Sequence, residues 1–288
     1  MEIVAYLVDA LLYAGLAFYF WRTRWTPIGN QDAGGLATHP SSLSHVVRMN
    51  GRASGEQYSV LFPLSLHAYL LGHALFAPDG LHLNVATAIS AILWLTVSIY
   101  WIGNFFYQLD GLQALVLPLA AIATLLPAAM PETRALPNTH LAAFKIHLLI
   151  ALLAYSFFTI ASLHVALMAL LEKRLHNGTL TQVLQKLPPL LTMEALLFRI
   201  IWAGFILLTL TLGSGVVFTE ELFGKPAQFN HKTIFGIMSW LIFAALLAGR
   251  HIYGWRGRVA VRWTLAGFLT LVLAYIGSKF VMEVLLGR

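Results

Sequence analysis

Long apolar stretches without charged side chains dominate this chain and limit what it can fold into. A helix needs about 20 apolar residues to cross the hydrocarbon core of a bilayer. Such stretches recur about eight times, for example over 112–130 and 201–218. Charged residues make up 10% of the chain and hydrophobic residues 59%, whereas a soluble protein carries roughly 25% charged residues. The sequence therefore predicts an all-α, polytopic transmembrane helical bundle.

The apolar stretches give about eight predicted spans within a single membrane domain, residues 1–288. The first stretch lacks a basic leader and a small-residue cleavage site, so we expect it to stay in the protein as a span. The longest polar connection, residues 23–56, is predicted to be a cytoplasmic loop. The predicted spans are 3–21, 57–76, 84–106, 112–130, 141–171, 196–218, 232–249 and 261–284.

The lysines and arginines are distributed unevenly between the two predicted sides of the membrane. If the N-terminus lies outside, twelve of the 18 lie on the inner side. Cytoplasmic loops of membrane proteins carry an excess of these residues, so we predict that both termini lie outside. The net charge of +6 comes from lysines and arginines that are placed as membrane insertion requires. It therefore indicates the lipid bilayer as a partner and does not indicate nucleic acid.

The chain contains no cysteine, which restricts the chemistry available to it. Disulfide exchange, thiolate metal sites and covalent thioether attachment of haem are excluded. We find no nucleophile–base pair, no phosphate-binding loop and no zinc-binding HExxH motif, and we expect a protein that is not an enzyme. Glu194 and Arg199 are interpreted as interfacial charges.

Histidine dominates the ionisable groups inside the spans, where such groups are functional candidates by default. His147 lies about two turns into the fifth span, below the outer surface. His164 lies 17 residues further on, roughly 25 Å deeper at 1.5 Å per residue, so the two cannot share one ligand. His67 and His73 lie on different faces of the second span. For each histidine the alternative is a neutral imidazole that bonds a carbonyl or hydroxyl of a neighbouring helix.

Further candidates lie on the same side of the membrane as His147. His231 and Lys232 begin the seventh span, and Lys279 lies in the last one. Neutral imidazole is a good axial ligand of haem iron, and nearby cations can pair with haem propionates. His147 and His231 could therefore hold an iron between two spans. Alternatively, His231 caps its helix, Lys232 is solvated and Lys279 forms a local ion pair. The small residues at 212–215 either allow close helix packing or leave room for a flat ligand.

Four segments of the C-terminal half carry a resemblance to a known family. They read SGVVFTEELFG at 214–224, HKTIFGIMSWLIF at 231–243, GWRGR at 254–258 and AYIG at 274–277. Together they resemble the CcsA-type cytochrome c assembly family, in particular its YpjD-like inner-membrane branch, also called HemX-like. The match is strongest over about 140–285. The resemblance implies a multi-pass protein of the bacterial inner membrane that handles haem for c-type cytochromes.

The resemblance also implies roles for particular residues. His147 matches the family's outer histidine and would bind haem, here haem b held non-covalently, with cytochrome c maturation components as partners. The family's tryptophan-rich loop ending in Trp-Asp-Pro-Lys reads FGKPAQFNHK at 223–232, so His231 is a substitute ligand by inference. The family's inner histidine falls near Ala248, and its second outer histidine has no counterpart. These departures favour an alternative, a regulatory or scaffolding membrane protein that keeps the fold without haem.

Overall fold

A computed structural model describes residues 2–24, 58–77, 80–107, 109, 111–130, 136, 141–176, 190–223 and 231–274. These ranges form eight helices and one short antiparallel hairpin, so the predicted all-α polytopic bundle is confirmed. Most of the predicted loop 23–56 lies outside them. The helices are α1 (Glu2–Arg24), α2 (Leu61–Leu75), α3 (Val85–Gly103), α4 (Gln113–Ala129), α5 (Ala142–His176), α6 (Leu190–Phe223), α7 (His231–Tyr253) and α8 (Arg258–Val272), and strands β1 (Phe76–Ala77) and β2 (Gly80–Leu81) join α2 to α3.

Each predicted span corresponds to one helix, although the bounds differ. Five helices, α1, α3, α5, α6 and α7, are long and apolar enough to cross a bilayer. The helices α2 and α4 are apolar but have only 15 and 17 residues. The helix α6 begins at Leu190 instead of the predicted 196. The apolar stretch predicts only the part of a helix that lies in hydrocarbon, and α6 continues beyond it through Thr192 and Glu194.

The helices pack as two rings of four. In the first ring, α1 and α3 each contact both α2 and α4. In the second ring, α5 and α7 each contact both α6 and α8. The helix α3 also packs on α5 and joins the rings. Because successive helices run in opposite directions, α1, α3, α5 and α7 begin at the same end of the bundle. We call this the outer end, following the charge-based prediction, and the opposite end the inner end.

The distribution of apolar side chains is the one expected for a surface covered by lipid. Leu11, Ile122 and Leu269 are at least 61% exposed on the outside of the rings. In contrast, Asp9 and Thr124 are fully buried between helices. In hydrocarbon an ionisable or polar side chain is costly on the outside of a bundle, and it usually faces the interior. The outward-facing sides of the two helix rings therefore form the surface that contacts the bilayer.

Two stacked phenylalanines fill the centre of the second ring. The rings of Phe158 on α5 and Phe243 on α7 lie 3.9 Å apart between centroids and are inclined by 17°. A Cβ on Gly204 of α6 would lie 3.1 Å from the Phe158 ring, and a Cβ on Gly267 of α8 would lie 2.8 Å from the Phe243 ring. The two glycines therefore allow all four backbones to approach the aromatic pair.

Asn84 begins α3 and connects it to the end of α4. Its Oδ1 accepts a hydrogen bond from the Thr87 backbone N–H at 2.8 Å, and Thr87 Oγ1 accepts one from the Asn84 backbone N–H at 2.9 Å. This reciprocal pair is a capping box, which satisfies two otherwise unpaired donors of the first helical turn. Asn84 Nδ2 also donates to the Met130 carbonyl at 2.9 Å. One side chain thus caps α3 and fixes it to the end of α4.

We expect Asn84→Ala to lower the free energy of unfolding by about 1–2 kcal/mol, because the cap and the bond to Met130 are lost together. Titration with sodium dodecyl sulfate in mixed micelles, followed by tryptophan fluorescence, measures the change. Asn84→Ser keeps a capping oxygen and loses only the bond to Met130, so its stability should lie between those of the wild type and Asn84→Ala. Equal stability of Asn84→Ala and the wild type would contradict the prediction.

Candidate functional site

His147 lies in the second turn of α5 and contacts the outer end of α6. Its Nδ1 is 2.8 Å from Ser214 Oγ. The Ser214 hydroxyl donates its one proton to backbone carbonyls of its own helix, Leu210 O at 2.6 Å and Thr211 O at 3.2 Å. With the Ser214 proton on a carbonyl, the His147 Nδ1–H donates to Ser214 Oγ. This bond holds the imidazole ring against α6.

A neutral imidazole held in this way has the form of a metal ligand. Histidines that bind metals usually donate their other ring N–H to an oxygen, which sets both the tautomer and the orientation of the ring. Ser214 has that relation to His147, and the imidazole is half-buried at the outer end of the second ring. The site can therefore offer one nitrogen base to an iron centre.

The small residues that follow Leu212 differ in what surrounds them. A Cβ on Gly215 would lie 3.6 Å from His147 Cε1, so α5 and α6 are in ordinary contact there. A Cβ on Gly236 of α7 would lie 3.2 Å from Leu212 Cδ2, a tighter approach. Gly213 is exposed, and a Cβ there would have no neighbour within 4 Å. Helix packing thus explains Gly215 and Gly236, whereas Gly213 leaves open space.

His231 and Lys232 are the first two residues of α7. The side chain of His231 is exposed and that of Lys232 is half-buried. Lys232 lies one turn before Gly236, hence on the face of α7 that meets α6. The structure thus brings the start of α7 to the same part of α6 that contacts His147. Joint iron ligation by His147 and His231 stays a prediction, and Lys279 lies outside the described residues.

The described ranges contain no group of three or more His, Cys, Asp or Glu side chains placed to hold a metal ion. A haem iron is held by the porphyrin and needs only axial protein ligands. One imidazole nitrogen, such as those of His147, is the kind of group that provides axial ligation.

Two other histidines each form one hydrogen bond to a neighbouring helix through Nε2, which is the contact that the alternative interpretation expected. His67 Nε2 is 2.9 Å from Ser90 Oγ on α3. His164 Nε2 donates to the Met193 carbonyl of α6 at 2.9 Å, near the inner end. His73 is exposed, with its ring edge against Tyr69 at 4.8 Å between centroids.

The expected pairing of Glu194 with Arg199 is wrong. Glu194 is buried, and its Oε1 lies 2.7 Å from Nη1 of Arg250 on α7. The guanidinium of Arg199 instead lies 6.0 Å from the centroid of the Tyr107 ring. The turn from α7 to α8 brings the arginine to the carboxylate, and spacing along α6 gives no indication of that contact.

Sequence reasoning also missed Asp9, a fully buried carboxyl group in the first ring. Its Oδ2 accepts a hydrogen bond from Thr124 Oγ1 of α4 at 2.7 Å. The signal was available, because a lone carboxylate within an apolar span is a functional candidate. Asp9 belongs to α1, in a different ring from His147, and so is not part of the candidate site.

Comparison with known proteins gives a family and several relatives. The family described as Cytochrome C assembly protein matches residues 56–286. The Inner membrane protein YpjD of Escherichia coli is 31% identical over 239 residues, which cover 79% of this chain and 86% of that protein. The Cytochrome c biogenesis protein CcsA of Synechocystis is 33% identical over 109 residues, 38% of this chain and 33% of that protein. The CcsA protein of Prochlorococcus marinus is 36% identical over 85 residues, 30% of this chain and 27% of that protein. No solved structure matches the chain significantly.

The similarity to YpjD extends over most of both chains, whereas the similarity to the CcsA proteins covers about a third of each. Combined with five helices that can cross a bilayer, the match to an inner-membrane protein identifies a multi-pass protein of the inner membrane. The family match includes every described helix except α1. This chain belongs to the cytochrome c assembly protein family.

Proposed function

We propose that the protein binds haem b non-covalently at the outer end of the second ring and assists cytochrome c assembly as a carrier, without itself making or breaking bonds. The observation that carries the proposal is the hydrogen bond between His147 Nδ1 and Ser214 Oγ, which orients the imidazole at the outer end of the second ring. Membership of the family and the similarity to proteins named for cytochrome c biogenesis support a role in that process.

The residues around His147 fit a flat molecule with an iron centre and acidic side groups. Nε2 of His147 is the axial ligand, and the open surface at Gly213 leaves room against α6. Lys232, and Lys279 as predicted from the sequence, are the cations for the propionates, and His231 is the candidate for the second axial position. The bound haem would supply the iron, and the protein supplies ligation, orientation and charge neutralisation.

An absorption spectrum of the full-length protein, purified after expression with abundant haem, tests the proposal. We expect a Soret band that is largely lost in His147→Ala. In Ser214→Ala the oxygen that orients the imidazole is gone, so haem affinity should fall by about 10–100-fold, the usual effect of removing such a partner. His231→Ala should keep the Soret band but shift it, because iron loses a second axial ligand.

His164→Gln is the matched control, since it changes a buried histidine near the inner end of the same helix and should leave the Soret band unchanged. A Soret band of full strength in His147→Ala would contradict the assignment of the ligand. A wild-type protein that purifies without haem under these conditions would overturn the carrier role and favour a regulatory or scaffolding protein.

A further inference from the structure

The first ring contains a second set of buried polar side chains, separate from the His147 site. Asp9 and Tyr13 of α1 and Thr124 of α4 are fully buried. His67 of α2 and Ser90 of α3 are each 1% exposed. All four helices of the ring thus contribute to one polar cluster, in the outer half of the ring. We refer to these five residues as the first-ring cluster.

Contacts between the helices order the cluster as a chain. Thr124 Oγ1 donates to Asp9 Oδ2 at 2.7 Å. Tyr13 lies one turn after Asp9, on the same face of α1. The aromatic side chains of Tyr13 and His67 are in edge contact, with centroids 5.7 Å apart and planes inclined by 78°. His67 Nε2 is bonded to Ser90 Oγ at 2.9 Å. The sequence of groups is hydroxyl, carboxyl, phenol, imidazole, hydroxyl.

Three polar atoms of the cluster have no hydrogen-bond partner among the described residues: Asp9 Oδ1, Tyr13 Oη and His67 Nδ1. Buried polar atoms are nearly always paired, and a set without partners calls for an explanation such as bound water or a titrating proton. The three atoms belong to side chains that follow one another in this series of contacts. We therefore expect a single group of hydrogen bonds to pair all three.

The absence of a cationic partner among the described residues determines the protonation state of Asp9. No cationic side chain of the described residues pairs with Asp9, and Arg22 and His73, on the same helices, are exposed. An unpaired buried carboxylate is very costly in a medium of low dielectric constant, and such a group takes up a proton instead. Because Asp9 Oδ2 accepts from Thr124, the proton belongs on Oδ1, one of the three atoms without a partner.

We propose that the first-ring cluster is a proton-binding site, in which one exchangeable proton resides on Asp9 Oδ1 and is shared, through bound water, with Tyr13 and His67. The water accepts from the carboxyl O–H and the phenol O–H and donates to His67 Nδ1. When the proton moves through the water, the Asp9 O–H bond breaks and an N–H bond forms at His67 Nδ1, leaving a carboxylate at Asp9 and an imidazolium at His67. The titratable groups facing the site are Asp9 and Tyr13 from α1 and His67 from α2, while α3 and α4 contribute only hydroxyls.

Infrared spectroscopy of the full-length protein in lipid membranes at neutral pH tests the proposal. We expect the carbonyl stretch of a protonated carboxylic acid in the wild type, its loss in Asp9→Asn, and a shift in heavy water as the proton exchanges. Thr124→Val keeps the acid but removes its hydrogen-bond donor, so the band should move to higher frequency. His67→Gln keeps a partner for Ser90 and loses Nδ1, so the band should shift as well.

Glu172→Gln is the matched control, because Glu172 is an exposed carboxylate paired with Arg258 and should not contribute to the band. The proposal is overturned if the wild type shows no protonated acid, or if the band persists in Asp9→Asn. An unshifted band in His67→Gln would overturn the sharing of the proton with the imidazole. A shift of the band in Thr124→Val assigns the band to Asp9 even if Asp9→Asn does not fold.

Discussion

Replacing Arg250 with methionine is expected to lower the free energy of unfolding by about 3 kcal/mol, because the Glu194 carboxylate would stay buried without its main partner. The side chains of Arg250 and Glu194 are only 28% and 8% exposed. The same Arg250 guanidinium donates to the Trp255 carbonyl at 3.2 Å and lies 4.7 Å from the centroid of the Phe198 ring. One arginine thus connects α6, α7 and the turn before α8.

The remaining partners of Glu194 do not compensate for this loss. Arg256 Nε is 3.9 Å away on a side chain that is 62% exposed, and the Gly257 backbone N–H is 3.4 Å from Oε2. Chemical unfolding in mixed micelles, monitored by tryptophan fluorescence, gives the difference. The double variant Glu194→Met/Arg250→Met should be more stable than Arg250→Met, since removal of both charges also removes the desolvation cost.

An exposed ion pair provides the control for the buried one. Arg258 Nη2 lies 3.4 Å from Glu172 Oε1, and their side chains are 82% and 53% exposed. We expect Arg258→Met to change the free energy of unfolding by less than about 1 kcal/mol, as is usual for exposed pairs. If Arg250→Met is no more destabilising than Arg258→Met, the buried pair does not hold the inner end together.

Gly267→Ala is expected to destabilise the protein by about 1–3 kcal/mol, although alanine is the better helix former. The added methyl group would lie 2.8 Å from Phe243, whose ring cannot retreat because it is stacked on Phe158. The Phe158 ring is itself in close contact with α6 at Gly204. The helices must therefore separate or the stack must break, and the same unfolding titration will report the cost.

Gly15→Ala is the matched control, since a Cβ at this position of α1 would have no neighbour within 4 Å. It should be neutral or stabilising by up to about 1 kcal/mol, because only the gain in helix propensity remains. Phe243→Leu should partly rescue Gly267→Ala by freeing space beside α8. Equal effects of the two alanine substitutions would show that the stack does not constrain α8.

Apolar length predicted most of the fold, because the bilayer imposes a fixed thickness on a helix. All eight predicted spans correspond to helices. The start of α6 was misplaced, since Glu194 is held within the helix by an arginine 56 positions later in the sequence. The division into two rings was not predicted, because helix-to-helix contacts depend on three-dimensional packing that no local pattern encodes.

The candidate site was predicted in part. His147 stood out as an imidazole in an apolar span, and Ser214 belonged to a segment noted only for its small residues. The hydrogen bond between them depends on the antiparallel packing of α5 and α6, and sequence spacing does not show it. Asp9 was overlooked although it is a carboxylate in an apolar span, which is the feature that made the histidines candidates.

The stacked phenylalanines limit where a large molecule could pass across the membrane through this protein. Phe158 and Phe243 are fully enclosed and obstruct the axis of α5–α8 halfway between its two ends. A tetrapyrrole macrocycle is far wider than the gap between two stacked benzene rings, so it cannot descend through that axis while the pair is in place. Any route from the opposite leaflet to His147 must therefore bypass that axis.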